Sequence, residues 1–393
     1  MTMTATEAPA QGKSKGKDAP VVAARPFVTG TRTLESEVYT QTVTQTTATQ
    51  ALTPYEFQVD GYLAGAIIRV TATTAGNAAT VAFQADGPFS VIQSVTVEDI
   101  GGKQVLGPVS GHQLRILNQF GGFVFNGDPR ASGIYTITSG AGATGGSYRF
   151  ALRVPIQVRR RDAMGALPNR NASATFKCKV VVNQSNQVYS TAPTNAASVN
   201  VQIQQHGWAT SDNRDYKGNA VSPTPNGVGS LLYTDVETIQ LSAGAYNQRM
   251  STFGGLLRVL IFELRDSNGS RAQGESDFPS LFEMEIDKVK TFSRSPVTWE
   301  HLMSEDYGLT ADADGNTATA KNSKPDGVYV LHWLDDFGLQ PGAENGFRYQ
   351  PITPSTAVQL IGTVGGSGAH TLAITKNYLS PVNDDPRQLT GGR

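Results

Sequence analysis

The sequence contains one cysteine, Cys178, in 393 residues. A disulfide within the chain is therefore excluded, and burial of apolar side chains must stabilise the fold. Cys178 falls in the β-type run 174–182, and no histidine lies near it in the sequence. We interpret it as a half-buried structural thiol rather than a reactive nucleophile.

Charge is also scarce. Charged residues make up 17% of the chain and the net charge is −1, whereas ordinary soluble domains carry about 25% charged residues. Such a chain has little self-repulsion, and it lacks the broadly basic surface that nucleic-acid binding requires. We therefore expect copies of the chain to associate readily, and we expect no direct contact with nucleic acid.

Long apolar runs are missing. The most hydrophobic stretch, 256–264, is too short to span a bilayer and contains Arg258. The first thirty residues lack the apolar segment of a signal peptide. These absences predict a soluble protein that is made in a cytoplasm.

Patterns for catalysis or metal binding are missing as well. The five histidines are isolated from one another, and no H-x-H or H-E-x-x-H pair occurs: His112, His206, His301, His332 and His370. The segment 140–145 matches G-x-G-x-x-G, but a β-type run follows it where a dinucleotide site needs a helix. Asp312, Asp314 and Asn316 resemble a calcium loop that lacks its glycine at the sixth position. We expect no enzymatic activity, no cofactor and no metal.

The chain does contain two tracts of similar length, 33–209 and 230–380, in which short β-type runs alternate with turns. The 41 glycines and 20 prolines supply enough turn residues for many short strands. Each tract is long enough for an eight-stranded sandwich. The segment 210–229, rich in proline, asparagine and glycine, is predicted to be a linker. Residues 1–32 are predicted to be a flexible arm, and 381–393 a polar tail.

Strands are predicted from β-branched and alternating runs. In the first tract they are 38–43, 55–59, 66–73, 80–84, 91–98, 104–106, 134–138, 148–155, 175–182 and 199–205. In the second they are 231–241, 256–264, 281–289, 328–333, 357–364 and 370–377. No helix in either tract is long enough to connect parallel strands, so the chain is predicted to be all-β with antiparallel sheets.

Each tract carries one short helix. Ser110 and Gln113 form a capping box before the first helix, and Gly121-Gly122 is predicted to end it. In the second tract, Ser295-Pro296 begins a helix, and Gly308 ends it.

Two basic clusters are candidate assembly sites. The first lies in the arm, which is either a solvated tail or a segment that contacts a neighbouring subunit or an anionic membrane: Lys13, Lys15, Lys17 and Arg25. The second is the run Arg159, Arg160 and Arg161, next to Asp162. With no interleaved aromatic residues, this run indicates either a solvated loop or ion pairs between subunits.

Several segments resemble, in order along the chain, the double jelly-roll major capsid proteins of tectivirus-type tailless phages. In the first tract they are Asp86-Gly87-Pro88 with 91–95, Ser110-Gly111-His112-Gln113-Leu114, Val154-Pro155-Ile156, Asp162-Ala163-Met164-Gly165-Ala166-Leu167 and 177–181. In the second tract they are Pro296-Val297-Thr298-Trp299 and Gly327-Val328-Tyr329. The matches run from about residue 61 to 378, whereas the arm and the loop 311–325 show none.

The resemblance implies two eight-stranded antiparallel jelly rolls in tandem, with one short helix in each. It also implies a homotrimer that forms a pseudo-hexameric capsomer and tiles an icosahedral shell around an internal membrane. Penton and minor capsid proteins would be further partners, and the termini would face neighbouring subunits or the membrane. The protein would be a virion component that is assembled in the host cytoplasm. The loops 123–133, 140–146 and 311–325 would form the outer surface.

Two other functions are compatible with a β-rich chain. A phage spike or carbohydrate-binding protein would also lack catalytic residues, although exposed aromatic residues would then be expected. The three tryptophans, Trp208, Trp299 and Trp333, lie in strand or helix patterns that are typical of a core. A two-domain cupin enzyme would need two nearby metal-binding histidines on one strand, which the sequence lacks.

Overall fold

The computed structural model describes residues 24–75, 81–124, 128–138, 145–272, 277, 282–309, 325–335, 344 and 346–380. Within these ranges, no helix is long and apolar enough to cross a membrane. Strands dominate, as predicted, and nearly all pairs between them are antiparallel.

Two β-sandwiches follow each other along the chain. The strands of sandwich 1 are β1 (Thr33–Glu35), β2 (Tyr39–Thr44), β3 (Gln50–Ala51), β4 (Tyr55–Glu56), β5 (Tyr62–Thr73), β6 (Ala82–Phe83), β7 (Ile92–Glu98), β8 (Gln104–Val109), β9 (Thr136–Thr138), β10 (Ser147–Pro155), β11 (Leu167–Pro168), β12 (Lys177–Val182), β13 (Tyr189–Thr191) and β14 (Ser198–Trp208). Those of sandwich 2 are β15 (Leu231–Arg249), β16 (Gly255–Arg265), β17 (Phe282–Ile286), β18 (Val289–Arg294), β19 (Val328–His332), β20 (Gln350–Ile352) and β21 (Val358–Ser380). The helices are α1 (Gly111–Phe120), α2 (Ser185–Val188) and α3 (Pro296–Tyr307).

Sandwich 1 consists of two facing sheets. In sheet 1A, β1 and β2 pair with β14, which pairs with β5, and β5 pairs with β10. In sheet 1B, β3 and β4 pair with β12, then come β7 and β8. Every second residue of β5, β14 and β12 points into the space between the sheets, for example Val70, Val201 and Val180. This two-residue alternation is what the sequence pattern of these runs predicts.

Sandwich 2 uses two long strands that belong to both of its sheets. In sheet 2A, residues 231–242 of β15 pair with 369–380 of β21, followed by β16 and β19. In sheet 2B, residues 244–249 pair with 359–364, followed by β17 and β18. The register shifts between Ser242 and Gly244, where the ribbon passes from one sheet to the other. The runs predicted as separate strands at 357–364 and 370–377 are thus parts of one bent strand.

Strand order is the same in both sandwiches. For this comparison, β1 with β2 counts as one strand, as does β3 with β4, the bent strands β15 and β21 count as two each, and the shortest strands are left out. Each sandwich then has eight strands, numbered first to eighth along the chain. Sheets 1A and 2A have the order first, eighth, third, sixth, and sheets 1B and 2B have the order second, seventh, fourth, fifth. In each sandwich a helix, α1 or α3, connects the fifth strand to the sixth. The sequence repeats one topology twice, as the two tracts of β-type runs indicate.

The two sandwiches meet edge to edge. The fifth strand of sandwich 1, β8, lies beside the first strand of sandwich 2, β15, and pairs with it at Leu106 and Thr234. This pair is parallel, which corrects the expectation of antiparallel pairing throughout. The reason is that the strands belong to different sandwiches, so no local hairpin dictates their relative direction.

That parallel pair fixes the relative orientation of the sandwiches. Strands β1 and β2 run away from one end of the molecule, which we call the base, and β3 and β4 return toward it. Strand β12 is antiparallel to both β4 and β7, so β7 runs toward the base as β4 does. Strand β7 therefore ends at the base, and its antiparallel neighbour β8 starts there. Since β15 runs parallel to β8, it also starts there, and β21 ends there. Both sandwiches therefore stand side by side in the same sense.

A single apolar cluster runs through both sandwiches. In sandwich 2 its centre is Trp299 of α3, which is buried against the rings of Phe262, Phe282, Phe292 and Tyr329 at centroid distances of 5.3–5.8 Å. The indole Nε1 donates a hydrogen bond to the carbonyl of Val330 at 2.6 Å. Trp299 is a core residue, as its pattern indicates, while Trp208 and Trp333 are half-buried.

Both predicted helix starts are confirmed. The backbone N–H of Gln113 donates to Ser110 Oγ at 3.1 Å, and that of Ser110 donates to Gln113 Oε1 at 2.9 Å, which completes the capping box. Ser295 caps α3, which ends at Gly308 with φ +60°. The four-residue helix α2 has no side-chain cap and was not predicted.

One predicted strand, 281–289, is wrong in its extent. Its described part forms the strands β17 and β18, which are joined by a tight turn at Asp287 and Lys288. Both turn residues have positive φ, 50° and 67°. Glycine or asparagine normally marks such a turn, and neither is present here, so the residue types do not predict it.

Cys178 lies in β12, as predicted, but it is fully buried rather than half-buried. Burial raises the pKa of its thiol to about 12. The thiol is therefore protonated and unreactive at neutral pH.

Candidate assembly site at the base

The base brings together two of the sequence regions that were singled out for their basic residues. The backbone N–H of Arg25 donates to the carbonyl of Ala220 at 2.9 Å, and its guanidinium lies 3.0 Å from Asp215. The end of the arm therefore contacts the predicted linker. The linker in turn contacts the segment that follows the arginine run, because the backbone N–H of Gly165 donates to the carbonyl of Asn226 at 3.2 Å.

A small apolar cluster holds these segments together. Phe27 is buried against Tyr62, with ring centroids 5.2 Å apart, and against Ala163 and Ala166. Val28, Trp208 and Val228 pack around it. Phe27 thus fixes the described part of the arm, residues 24–32, against the first sandwich. The division of the chain at residues 32, 209, 229 and 380 remains a prediction.

Beside this cluster lies a cleft of about 220 Å³ at the edge where β1 and β5 begin and β10 and β14 end. Arg153, Arg160 and His206 line it, together with Gln157 and Trp208. The indole Nε1 of Trp208 donates to Gln157 Oε1 at 2.9 Å, so these two side chains form a fixed wall. We call this cleft, with the adjacent exposed Arg161, the arginine cleft.

Positive groups dominate the electrostatics of the arginine cleft. Burial lowers the pKa of Arg153 to about 10, and the nearby charge of Arg160 adds to this effect. Burial, Arg153 and Arg160 also lower the pKa of His206, while Glu35, 3.6 Å from its Nδ1, opposes them. The cleft therefore suits an anionic group, which would relieve the repulsion between the two guanidinium groups.

The three consecutive arginines have different surroundings. Arg159 is buried, forms an ion pair with Asp162, and donates from Nη1 to the carbonyl of Glu344 at 2.7 Å. Its ion pair is thus within the chain. Arg160 and Arg161 are exposed, and the prediction of ion pairs between subunits now depends on these two.

Exposed basic residues outnumber acidic ones at the base. Besides the arginine cleft, they include Arg25, Arg32, Arg170, Arg214 and Lys217. The exposed acidic residues near them include Glu35, Glu56, Asp60 and Asp212. The net charge of the whole chain is close to zero, but the base carries an excess of positive charge. The predicted arm residues Lys13, Lys15 and Lys17 lie outside the described residues, as do 310–324 and the tail.

Sequence reasoning missed a second group of charged residues, which lies between the sandwiches. Asp86 of sandwich 1 accepts from Arg265 at 2.6 Å and lies 3.2 Å from Arg271 Nε. His112 Nε2 is 3.7 Å from Asp86 and 4.0 Å from Glu263, which is itself 3.4 Å from Arg265. We call these five residues the junction network. Asp86 and His112 belong to the segments that carry the family resemblance, which was the one available signal.

The junction network has strongly shifted ionisation. Burial lowers the pKa of His112 to about 3, against the attraction of Asp86. Burial alone would raise the pKa of Asp86, but His112, Arg265 and Arg271 lower it to about 2. Burial raises the pKa of Glu263, against the effect of Arg265. At neutral pH His112 is therefore neutral, and Arg265 and Arg271 lie against the carboxylate of Asp86.

A buried arginine, Arg258, also connects the sandwiches. Its guanidinium binds Glu344 and Asn377, and it donates to Tyr349 Oη at 3.1 Å and to the carbonyl of Gly121, at the end of α1, at 3.3 Å. Burial opposes its charge, but Glu344 and Tyr349 outweigh burial and raise the pKa of Arg258. Arg258 thus joins sandwich 2 to the end of α1 in sandwich 1.

Among the described residues, no group of three or more His, Cys, Asp or Glu side chains is placed to hold a metal ion. The large exposed aromatic side chains in the same ranges are Tyr216, in the linker, and Phe347, in sandwich 2. They lie on separate segments.

Known structures share this architecture. The major capsid protein of Sulfolobus turreted icosahedral virus matches with a TM-score of 0.53 and 14% identity, over 87% of this chain and 97% of that one. PBCV-1 VP54 matches with a TM-score of 0.53 and 11% identity, over 91% and 98% of the two chains. The Faustovirus major capsid protein matches with a TM-score of 0.51 and 9% identity, over 89% and 90%. No protein-family model matches the sequence, and no curated protein matches it.

The similarity covers nearly the whole of each chain and includes both sandwiches, and the repeated strand order has the arrangement of two jelly rolls. The chain has the double jelly-roll fold. Both jelly rolls are all-β, and α1 and α3 occupy the same position in each, as the resemblance implies. The narrower resemblance to tectivirus-type phages remains a prediction.

Proposed function

We propose that the protein is the major capsid protein of an icosahedral phage with an internal membrane. The observation that carries this proposal is the double jelly roll itself, with two sandwiches of one topology standing side by side in the same sense. Capsid proteins with this fold match over almost their full length. A chain with two similar sandwiches can present nearly the same side surface twice, which suits a repeating lattice.

Assembly would proceed through a homotrimer. Three chains with two sandwiches each form a ring of six similar units, and such pseudo-hexameric blocks tile a shell. Low charge and abundant threonine, asparagine and glutamine suit the small polar contacts between blocks, which must be weak enough to correct errors. Penton and minor capsid proteins would complete the shell in the host cytoplasm.

The base would face the internal membrane. Support comes from the arginine cleft and the exposed basic residues around it, and from the position of residues 24–32 and of the end of β21 at this same end. The arm and the tail are both attached there. Anionic lipid headgroups attract such a surface with about 1 kcal/mol for each basic residue near it.

The mass of the purified protein in solution tests the capsid proposal. We expect native mass spectrometry to give three times 41.8 kDa, and negative-stain images to show blocks with a hexagonal outline. A protein that stays monomeric at high concentration would contradict the proposal.

Neutralising the arginine cleft should weaken binding to anionic membranes. With Arg160→Gln and Arg161→Gln together, we expect partitioning onto phosphatidylserine-containing vesicles to fall about 30-fold at low salt, because two basic contacts are lost. The measurement is vesicle co-sedimentation across a salt series.

The matched control is Arg69→Gln with Arg149→Gln. Both arginines are exposed and lie away from the base, Arg69 in the middle of β5 and Arg149 near the start of β10, and the change in net charge is the same. Equal losses in both double variants would show that the base has no special role.

A further inference from the structure

Small residues make room for the arginine cleft. Residues 64–66 of β5, an alanine, a glycine and an alanine, line it together with Gly207 of β14, and larger side chains would fill the space. The register between β14 and β5 shifts at Gly207. A shift of this kind bends a strand and redirects the side chains next to it. His206 and Trp208, on either side of Gly207, thus line the same cleft.

Two guanidinium groups of the cleft are unpaired within the described part of the chain. No acceptor in these ranges forms a hydrogen bond or an ion pair with the side chain of Arg153 or of Arg160. Their neighbour Arg159, by contrast, is bound to Asp162 and to the carbonyl of Glu344. A half-buried arginine normally has an acidic partner, because its charge is costly away from water. The cleft therefore holds two neighbouring cations that an anion can still bind.

The charge of the cleft is positive. Arg153 and Arg160 contribute two positive charges, and the acidic residue among the described residues that line the cleft, Glu35, contributes one negative charge. Glu35 lies at His206, 3.6 Å from its Nδ1. Burial and the charge of Arg160 lower the pKa of Arg153, as expected where no anion neutralises a pair of cations. An anion between the two guanidinium groups would remove this repulsion.

A third donor lines the cleft in a fixed position. Gln157 Oε1 accepts from Nε1 of Trp208 at 2.9 Å, and among the described residues nothing accepts from Gln157 Nε2. The two oxygens of a carboxylate are satisfied by one planar guanidinium group. Two guanidinium groups and an amide supply donors from several sides, which matches the tetrahedral oxygens of a phosphate. The cleft volume of about 220 Å³ also leaves space for the group that the phosphate carries.

We propose that the arginine cleft is a phosphate-binding site, in which Arg153 and Arg160 bind one phosphate group and Gln157 donates to a further oxygen. In the assembled particle, the phosphate belongs to a lipid headgroup of the internal membrane. A phosphomonoester is preferred, because three of its oxygens are free. The lipid source rests on the proposed function, whereas the phosphate site itself does not. Such a site differs from the general attraction of the basic residues at the base, which any anionic lipid satisfies.

Titration calorimetry with inorganic phosphate tests the site without a membrane. At neutral pH and constant ionic strength, we expect the wild type to bind one phosphate per chain. Arg153→Gln and Arg160→Gln should each weaken binding by at least about tenfold, because each removes a charge-assisted contact. Arg161→Gln is the matched control. It removes an exposed charge next to the cleft but no lining residue, and it should change the affinity by no more than about twofold.

Thermal unfolding separates a binding role of Arg153 from a structural one. Without phosphate, Arg153→Gln should unfold at the wild-type temperature or higher, since the change removes repulsion between two cations. Phosphate should stabilise the wild type and not this variant. Arg153→Lys keeps the charge but not the planar donors, so its affinity should be intermediate. If Arg153→Gln does not fold, Arg160→Gln, at an exposed position, decides the test.

Vesicles identify the source of the phosphate. Phosphatidylcholine vesicles that contain phosphatidic acid, a phosphomonoester, are compared with vesicles that contain phosphatidylserine, at equal surface charge. The wild type should bind the phosphatidic acid vesicles about tenfold more tightly, and Arg153→Gln should bind both kinds alike. If the wild type binds phosphate in solution but binds both kinds of vesicle equally, the lipid source is wrong and the phosphate site stands.

The remaining outcomes separate this site from the capsid proposal. A wild type without saturable phosphate binding, or with the same affinity as Arg160→Gln, would overturn the site, and the capsid function would stand if the protein is trimeric. A protein that binds phosphate in the cleft but stays monomeric would overturn the capsid function and leave the site standing.

Discussion

Replacing Arg258 with methionine is expected to lower the free energy of unfolding by about 3–5 kcal/mol. The side chain is fully buried and binds Glu344, Asn377 and Tyr349 together with the carbonyl at the end of α1. Methionine fills much of the space but leaves the carboxylate of Glu344 buried without its cation. Urea unfolding, followed by tryptophan fluorescence, measures the loss.

Two further variants make this prediction specific. Arg249→Ala, which removes an exposed arginine from the end of β15, should change stability by no more than about 0.5 kcal/mol. The double variant Arg258→Met with Glu344→Leu should recover part of the loss, since no buried charge is then left unpaired. A single Arg258 variant as stable as the wild type would show that the connection does not hold the sandwiches together.

Stability is expected to fall by about 2 kcal/mol through His112 when the pH drops from 7.5 to 5. Burial lowers the pKa of His112 to about 3 in the folded state, whereas an unfolded histidine has a pKa near 6.5. Below pH 6.5 the unfolded chain therefore binds a proton that the folded chain does not. The contribution is fully present above pH 6.5 and is lost progressively as the pH falls toward 3.

The other groups of the junction network act differently in this range. Asp86, with a pKa lowered to about 2, loses its contribution only as the pH falls below about 4. Glu263, whose pKa is raised, has the opposite sign and gains stability on acidification. Its effect reduces the net slope, so the comparison with a variant must isolate His112.

The measurement is urea unfolding of the wild type and of His112→Gln at several pH values between 5 and 7.5. Between pH 7.5 and pH 5 the free energy of unfolding of the wild type should fall by about 2 kcal/mol relative to that of His112→Gln, because glutamine does not titrate. His301→Gln, at an exposed position of α3, is the matched control and should keep the wild-type slope. Parallel curves for wild type and His112→Gln would refute the assignment.

These two tests address the part of the molecule on which assembly would depend. The angle between the sandwiches must be nearly the same in every copy if the ring is to close. The junction network and Arg258 make directional contacts between the sandwiches, and we expect these contacts to hold this angle. A variant that loosens them is expected to lower the yield of closed trimers even when both sandwiches stay folded.

Local patterns were sufficient to predict most of the elements. Alternation of β-branched residues located β5, β10, β12 and β14, and the caps at Ser110 and Ser295 placed the starts of both main helices. These signals act between residues a few positions apart, so they can be read directly. The turn at Asp287 and Lys288 was missed because its residue types do not indicate positive φ.

The roles of charged residues could not be found in this way. The sequence pattern predicts a solvated loop or ion pairs between subunits for Arg159, yet this residue is buried and bound to Asp162 and to the backbone of residue 344. His112 was one of five isolated histidines, and Glu263 lies 151 positions further along the chain. A polar residue read from its neighbours alone is expected at the surface, because burial without a partner is costly.

The sequence by itself thus determined that the chain is all-β, that one pattern of strands with one helix occurs twice, and that no disulfide contributes. The tertiary structure decided how the two sandwiches are joined, which charges are buried between them, and that basic residues from the arm, the linker and the arginine run share one end. The reason is physical. Periodicity and capping arise from contacts within a few residues, whereas the pairing of β8 with β15 and the hydrogen bond from Arg258 to the carbonyl of Gly121 join segments of different sandwiches that lie far apart in the sequence.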